Sequence, residues 1–340
     1  MDDLISFSYI CCDAPRLDAF LIALVGKALP EGITRSQIQN WIRSGFVTVN
    51  GEPAAKTGKA LRQYDRVTID SDVIGYYCTN QIEADQMSLD ILFEDEHLIV
   101  LNKPAGLTVH PGAGHARGTL LNGVVAHLGR APFVTADYNR ASGVQFRPGI
   151  VHRLDKDTSG LMLVAKNLST HVRLSEKFAS REISRQYHAL AFTTPRAKRV
   201  LNLKQSGRIE TYLARDPRNR LRMAVVESDG KFSATNWTVL ERFRYGTYLD
   251  LKLDTGRTHQ IRVHLKHIGS QIIGDPVYGD DSKLPRVLQK AAERFGRQAL
   301  HAFKLDFTHP VSDEKMNFEI SDPTDMIALV DEFRRYSDEV

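Results

Sequence analysis

The order of elements along the chain predicts an α+β fold: a mostly antiparallel, mixed sheet with helices on its faces. Three observations carry this. Past Leu89 the runs 98–101, 161–164, 187–192, 235–240, 248–253, 303–307 and 316–320 all have strand character. Helical spacing is confined there to segments near 120–128, 169–178, 258–267 and 325–336. Strands therefore follow strands with few helices between them, which argues against the regular alternation of a parallel α/β sheet.

Ahead of this sheet, residues 1–80 form a small domain of their own, leaving 81–340 as the large one. Arg16-Leu17-Asp18-Ala19-Phe20-Leu21 and Leu24 have helical spacing. Thr34 or Ser36 caps a second helix carrying Ile38, Trp41 and Ile42, and Gly45 ends it. Phe46 to Asn50 then reads as a strand entering an Asn50-Gly51 turn, a strong hairpin signal. Leu61 to Ile69 alternates as a closing strand, and 71–88 is a polar linker without a period. Helix, helix, hairpin is the resulting order. A generic small α+β domain and an RNA-binding module both fit it.

Composition narrows the class. At 340 residues, 42% hydrophobic and 25% charged, the chain supports two or three globular domains. No apolar run approaches the roughly 18–20 residues of a membrane span. Met1-Asp2-Asp3 lacks the basic start of a secretory signal, so a cytoplasmic protein is expected. The three cysteines, Cys11, Cys12 and Cys78, have neither disulfide nor zinc spacing. Net charge is only +4, but the cations cluster. Arg196, Lys198, Arg199, Lys204, Arg208, Arg215, Arg218, Arg220 and Arg222 face only Glu210 and Asp216. Such a block is either a solvated surface or a strip that contacts phosphates.

The densest chemistry lies in His152-Arg153-Leu154-Asp155-Lys156-Asp157-Thr158-Ser159-Gly160, just before the apolar run Leu161-Met162-Leu163-Val164. Ionised groups beside a core must be paired or used. Asp155 has Arg153 and Lys156 as sequence neighbours, and opposite charges favour its ionised form. It is either a turn residue or a working carboxylate. Asp157, followed by Thr-Ser-Gly, looks more like the turn former. His264 and His267 share a helix face, but no third ligand of usual spacing accompanies them, so no metal is expected. Gly112-Ala113-Gly114 with Gly118 lacks the strand–turn–helix context of a dinucleotide site.

The 152–160 stretch resembles the catalytic motif of the RluA-type RNA pseudouridine synthases. Further stretches resemble that family in order: Leu101-Asn102-Lys103-Pro104, Val109-His110-Pro111-Gly112, Arg185-Gln186-Tyr187-His188, Asp254-Thr255-Gly256-Arg257-Thr258-His259-Gln260-Ile261-Arg262, Gly274-Asp275-Pro276-Val277-Tyr278-Gly279 and Gln298-Ala299-Leu300-His301. With the N-terminal module, which is similar to one first named from a small-subunit ribosomal protein, the chain resembles the RluC and RluD type. The resemblance implies a pseudouridine synthase fold and the isomerisation of uridine to pseudouridine in structured RNA, above all large-subunit ribosomal RNA, without a cofactor. It implies Asp155 as nucleophile or base, Tyr187 against the target base and as a candidate proton acceptor, and Arg262 paired with Asp155. A bidentate guanidinium suits that last role. It implies that Arg153 takes the flipped nucleotide's place or holds its phosphate, and that Leu300 lines the pocket floor. Arg35, Arg43, Arg257 and His259 are expected RNA contacts, with naked RNA or an assembling ribosomal particle as partner. A monomer is the default.

The chain departs from the family at 130–145, either a substrate-specific loop or a surface insertion. Two other functions compete. A non-catalytic RNA-binding factor would not need Asp155, Tyr187 and Arg262 together. A glycoside hydrolase would need a second carboxylate across the sugar, and none stands out.

Overall fold

The computed structural model describes residues 4–8, 15–28, 35–43, 45–54, 56–70, 83–111, 117–129, 149–192, 201, 204–219 and 222–338. The chain divides into two compact units. One comprises Met1–Ser88, His110–Ile150 and Ala165–Val172; the other comprises Leu89–Val109, Val151–Val164 and Arg173–Val340.

In the first unit, helices α1 (Leu17–Ala28) and α2 (Arg35–Arg43) accompany a sheet of β1 (Leu4–Ser8), β2 (Val47–Val49), β3 (Glu52–Pro53) and β4 (Arg66–Asp70), in the order β1-β4-β2-β3. Leu17 and Leu21 lie one turn apart, as do Ile38, Trp41 and Ile42, and both sets meet Val47, Val49, Leu61, Val67 and Ile69 in one core. Gly45 and the Asn50-Gly51 pair all have positive φ, as the end of a helix and a tight hairpin turn require. The closing strand is shorter than its alternation suggests. Arg62 to Asp65 forms a turn in which Asp65 accepts from the Arg62 N–H at 2.8 Å, so β4 starts only at Arg66. β1 was not expected, although Ile5-Ser6-Phe7-Ser8 has the apolar–polar alternation of a strand, and it pairs with β4.

Also in this unit is α3 (Leu120–Leu128), whose first turn is closed by a capping box between Thr119 and Asn122. Asn122 Nδ2 donates to the Glu83 carbonyl at 2.6 Å, and Asp85 accepts from the Gly118 N–H at 2.7 Å. Within the stretch read as a linker, residues 83–85 are thus tied to a helix start, while 71–82 lie outside the described residues. So does the 130–145 stretch.

The second unit holds the large sheet. Its strands are β5 (Asp90–Glu94), β6 (Leu98–Lys103), β7 (Ser159–Ala165), β8 (Ser184–Phe192), β9 (Ser206–Arg215), β10 (Met223–Val226), β11 (Lys231–Arg242), β12 (Gly246–Leu253), β13 (Leu300–Thr308) and β14 (Lys315–Glu319). The order is β10-β9-β11-β12-β8-β13-β7-β6-β5, with β14 beside β13. The pairs β10–β9, β9–β11, β11–β12, β12–β8, β8–β13, β13–β14 and β5–β6 are antiparallel and β7–β13 is parallel, so the sheet is mixed and mostly antiparallel. Helices α4 (Leu168–Ala179), α5 (Gln260–His267), α6 (Arg286–Phe295) and α7 (Thr324–Asp338) accompany these strands in sequence.

The basic block is described only in part. Its described part is the β9–β10 hairpin, in which Ile209 and Leu213 turn inward while Arg208, Glu210 and Arg215 turn outward. Arg208 bonds Glu210, Asn236 and Asp254 and is not an isolated cation. Arg196, Lys198, Arg199 and Arg220 lie outside the described residues.

β7 is buried along its whole length, the mark of a strand covered on both faces. Its second residue, Gly160, has φ +118 and lies against Ala302 of β13. A side chain there would stand 2.6 Å from the Ala302 nitrogen. Gly160→Ala is therefore expected to destabilise the protein by more than about 3 kcal/mol, through backbone strain and overpacking together. Urea unfolding of the purified variant, or its loss from the soluble fraction, checks this.

Candidate active site

Asp155 stands in the loop that feeds β7, and that loop is held from several sides. Lys103, at the end of β6, is fully buried. Its ammonium donates to the carbonyls of Pro104, Leu107 and Lys156 at 2.7, 2.9 and 2.9 Å. Three donors meet three acceptors, the geometry of a charged amine, although burial pushes its pKa down to about 7. The Gly106 N–H also reaches the Lys156 carbonyl, at 3.0 Å. From the other side Arg297 donates to the Asp157 carbonyl at 3.3 Å, and Gln298 to the Thr158 hydroxyl at 3.1 Å. His152 accepts from the Leu163 N–H at 2.9 Å and lies against Phe178; burial brings its pKa to about 3, so it is a neutral structural ring.

Arg262 comes from α5, 107 residues away in sequence. The turn before this helix is sewn to β11 by Gln260. Its carbonyl accepts from Thr255 Oγ1 and the Arg257 N–H, and its amide donates to the Ala234 carbonyl and Thr235 Oγ1. Arg262 is only 4% exposed. Its Nη1 donates to Asp155 Oδ2 at 2.8 Å. The two-pronged contact, however, is with Asp275, through Nε and Nη2 at 2.7 Å each. The expected pairing of Arg262 with Asp155 is therefore present, but by one bond, because the fork is spent on Asp275. Burial alone would raise Asp275, but the bonds and charge of Arg262 and the N–H groups of Tyr278 and Val277 hold it below the ordinary carboxylate range.

Tyr187, in β8, is 5% exposed. Burial pushes its phenol pKa up, against Arg185 and with the Asp155 charge. It is an un-ionised ring near the carboxylate, suited to stacking. Leu300 pairs with Ala189, two residues on from Tyr187, and so shares its face of the sheet. Arg153 and Arg257 are exposed. His259 turns inward: its Nε2 lies 3.8 Å from Asp155 Oδ1. In the first unit, Arg35 is partly committed to the buried Asp18, at 3.1 Å, which Arg16 and Gln39 also hold; Arg43 is exposed at the end of α2.

Sequence reasoning assigned no role to Asp275, Tyr278 or Lys103. An acid before a proline in a neutral stretch, and a lone lysine ending an apolar strand, were the available signals. His264 has both ring nitrogens 2.9 Å from threonine hydroxyls and a pKa brought to about 4 by burial. Among the described residues no group of three or more His, Cys, Asp or Glu side chains is arranged to hold a metal ion.

One carboxylate, Asp155, is thus braced by an arginine that is itself locked onto a second carboxylate, with a buried tyrosine nearby. Comparison with known proteins identifies the family. The family model described as RNA pseudouridylate synthase matches residues 97–267, and the S4 domain model matches 16–67. The chain is 41% identical to the ribosomal large subunit pseudouridine synthase D of Neisseria meningitidis serogroup A, over 94% of this chain and 79% of that one. It is 39% identical to the protein of that name from Escherichia coli K12, covering 90% of each. An uncharacterized RNA pseudouridine synthase of Bacillus subtilis, YlyB, is 39% identical, with 94% of each covered. Among solved structures, human RNA pseudouridylate synthase domain containing 1 aligns with a TM-score of 0.51 at 25% identity, over 69% of this chain and 84% of that one. This chain belongs to the RNA pseudouridylate synthase family.

The Arg262 fork yields two expectations. Arg262→Lys keeps a charge but cannot hold both carboxylates, so turnover should fall about a hundredfold with RNA affinity nearly unchanged, as single-turnover and filter-binding measurements would show. Asp275→Asn leaves a buried guanidinium short of its partner and should cost about 3–5 kcal/mol at pH 7. Because Asp275 is held below its ordinary 3.8, that stability is present above this pH and lost below it. The gap between wild type and variant in urea unfolding should therefore close as pH falls below 3.8.

Proposed function

We propose that this protein isomerises uridine to pseudouridine in large-subunit ribosomal RNA, that Asp155 is its nucleophile or base, and that no cofactor takes part. The observation that carries this reading is the state of Asp155. Arg262 braces Oδ2, while the carboxylate keeps 18% of its surface open. The names of the relatives supply the class of RNA.

The reaction breaks the bond between ribose C1′ and uracil N1, turns the base, joins C1′ to C5, removes the C5 proton and leaves N1 carrying one. Nothing is oxidised and no group is added. Asp155 either attacks C1′ or takes a sugar proton, and both roles need it ionised. Arg262 holds its Oδ2 at 2.8 Å. Tyr187 packs against the base once it has left its helix, with Leu300 beneath it. Arg153 fills the vacated position or holds the phosphate, and Arg257 contacts the backbone. Residues 1–80 add RNA affinity through Arg35 and Arg43. The enzyme acts as a monomer in the cytoplasm, on naked RNA or on an assembling ribosomal particle. Among the described residues no helix is long and apolar enough to cross a membrane.

Asp155→Asn is isosteric but neither anionic nor nucleophilic. It should abolish pseudouridine formation in vitro and leave RNA binding and the melting temperature near wild type. Turnover close to wild type would exclude Asp155 as the reacting group. Pseudouridine mapping of total RNA from a deletion strain identifies the target uridine.

The division of labour has its own test. A truncation beginning near Gln81 keeps Glu83 and Asp85, the residues bonded at the start of α3. It should bind RNA more weakly, with a shallower salt dependence, because fewer cations meet phosphates. It should still turn over at saturating RNA. Equal binding, or inactivity when saturated, would refute the division.

A further inference from the structure

His259 occupies an unusual place for a histidine. It is the N-cap of α5, with φ 55 and ψ 20, a left-handed conformation that side chains other than Asn, Asp and His seldom adopt. N-cap positions favour Ser, Thr, Asp or Asn, whose side chains cap the helix. The His259 side chain makes no such bond. Its ring points to the active site, and an uncommon backbone geometry at a site is grounds to ask what the side chain does there.

Both ends of the ring have partners of definite polarity. Nδ1 lies 2.9 Å from the Tyr278 hydroxyl, and the two rings meet edge to face. The same hydroxyl accepts from the Met223 N–H of β10 at 2.7 Å. A phenol has one proton to give. With Met223 able only to donate, the arrangement that leaves no donor idle sends the Tyr278 proton to Nδ1. Nε2 then carries the imidazole's own proton. That nitrogen faces Asp155 Oδ1 at 3.8 Å, where a lone pair would be repelled and an N–H is attracted. The distance is long for a hydrogen bond, but catalytic contacts often tighten only when substrate is bound.

We propose that His259 is a positioning residue for the nucleophile, with its tautomer set by Tyr278. Asp155 is then braced on each oxygen, by Arg262 on Oδ2 and by His259 on Oδ1, and the carboxylate plane is aimed at the sugar. The relay begins at Met223, so the seating of the β9–β10 hairpin bears on the nucleophile. This rests on the pseudouridine synthase reading and adds a residue and a mechanism to it.

The groups facing His259 are Asp155, Arg262, Asp275, Arg153 and Tyr278. Burial keeps the ring below the ordinary histidine value of 6.5, against the pull of Asp155, so it is neutral near pH 7. Protonation at lower pH puts a second proton on Nδ1, reverses the Tyr278 bond, and sets an imidazolium against Asp155. Turnover should therefore show an acid limb below 6.5.

The test uses the full-length enzyme, a uridine-containing ribosomal RNA fragment, and single-turnover rates from about pH 5 to 8. His259→Asn suits the left-handed backbone but reaches no further than Nδ1; its rate should fall about 10- to 100-fold with RNA affinity within about twofold. His259→Gln restores an N–H near Nε2 and should recover much of that loss while abolishing the acid limb. Tyr278→Phe removes a bond that favours the unprotonated ring and should move the acid limb to higher pH. Wild-type rate and pH profile in His259→Asn, or a loss of affinity in place of rate, would overturn the proposal, the second outcome making His259 an RNA contact. If His259→Asn does not fold, an acid limb unmoved in Tyr278→Phe overturns it alone. Absence of turnover in the wild type would count against the parent reading instead.

Discussion

The second unit is organised around one buried guanidinium. Arg262 has almost no access to water, and an ion so placed is tolerated only when geometry and hydrogen bonds recover its lost solvation. Asp275 does this with both oxygens, and its Oδ1 is itself fixed by the N–H groups of Val277 and Tyr278. Arg262 is therefore immobile before Asp155 is considered. The remaining N–H on Nη1 points to a definite place, and the catalytic loop has to bring its carboxylate there. Had the fork been given to Asp155, Asp275 would have lost its two-pronged hold on the guanidinium.

The loop meets this demand by surrendering backbone freedom, not by adding contacts to Asp155. Lys103, Arg297 and Gln298 hold Lys156, Asp157 and Thr158 through main-chain or side-chain oxygens. Gly160 lets β7 lie against Ala302 where a side chain would not fit. Arg297 is in turn held by Asp325 of α7, at 3.0 Å through each of two nitrogens, and stacks over Phe295. The bracing thus runs from the loop to the start of α7, far along the chain, without passing through the carboxylate.

Much of this was legible in the amino-acid order, and the rest shows what one dimension hides. The continuous apolar run after Gly160 marked a strand covered on both faces, and β7 is one. That Arg262 is a cation for Asp155 followed from the family resemblance and not from spacing, and the share that Asp275 takes was hidden, because a fork can serve either partner. In β9, a count of cations obscured the alternation of Ile209, Thr211 and Leu213 with Arg208, Glu210 and Tyr212; the period of two was the better signal. The turn at Arg62 to Asp65 depends on a side chain accepting from its own backbone, a local bond that outweighs alternation.

The cations also divide by burial, and the division bears on how a polyanion meets this protein. Arg262, Lys103 and Arg297 are buried and have internal acceptors. Their charge is used in holding the site together. Asp155, Asp275 and Arg262 together sum to one negative charge, so this cluster by itself does not attract phosphate. Attraction has to come from exposed groups at other positions, among which Lys156 and Arg153 lie nearest in sequence to Asp155, and Lys266 and Arg257 near Arg262. A net charge of +4 understates this, because the total averages cations already neutralised inside with those that face solvent. An RNA held by the exposed set can bring an uncharged uracil to the buried set. The two electrostatic tasks, holding a polyanion and bracing one carboxylate, then do not compete for the same side chains.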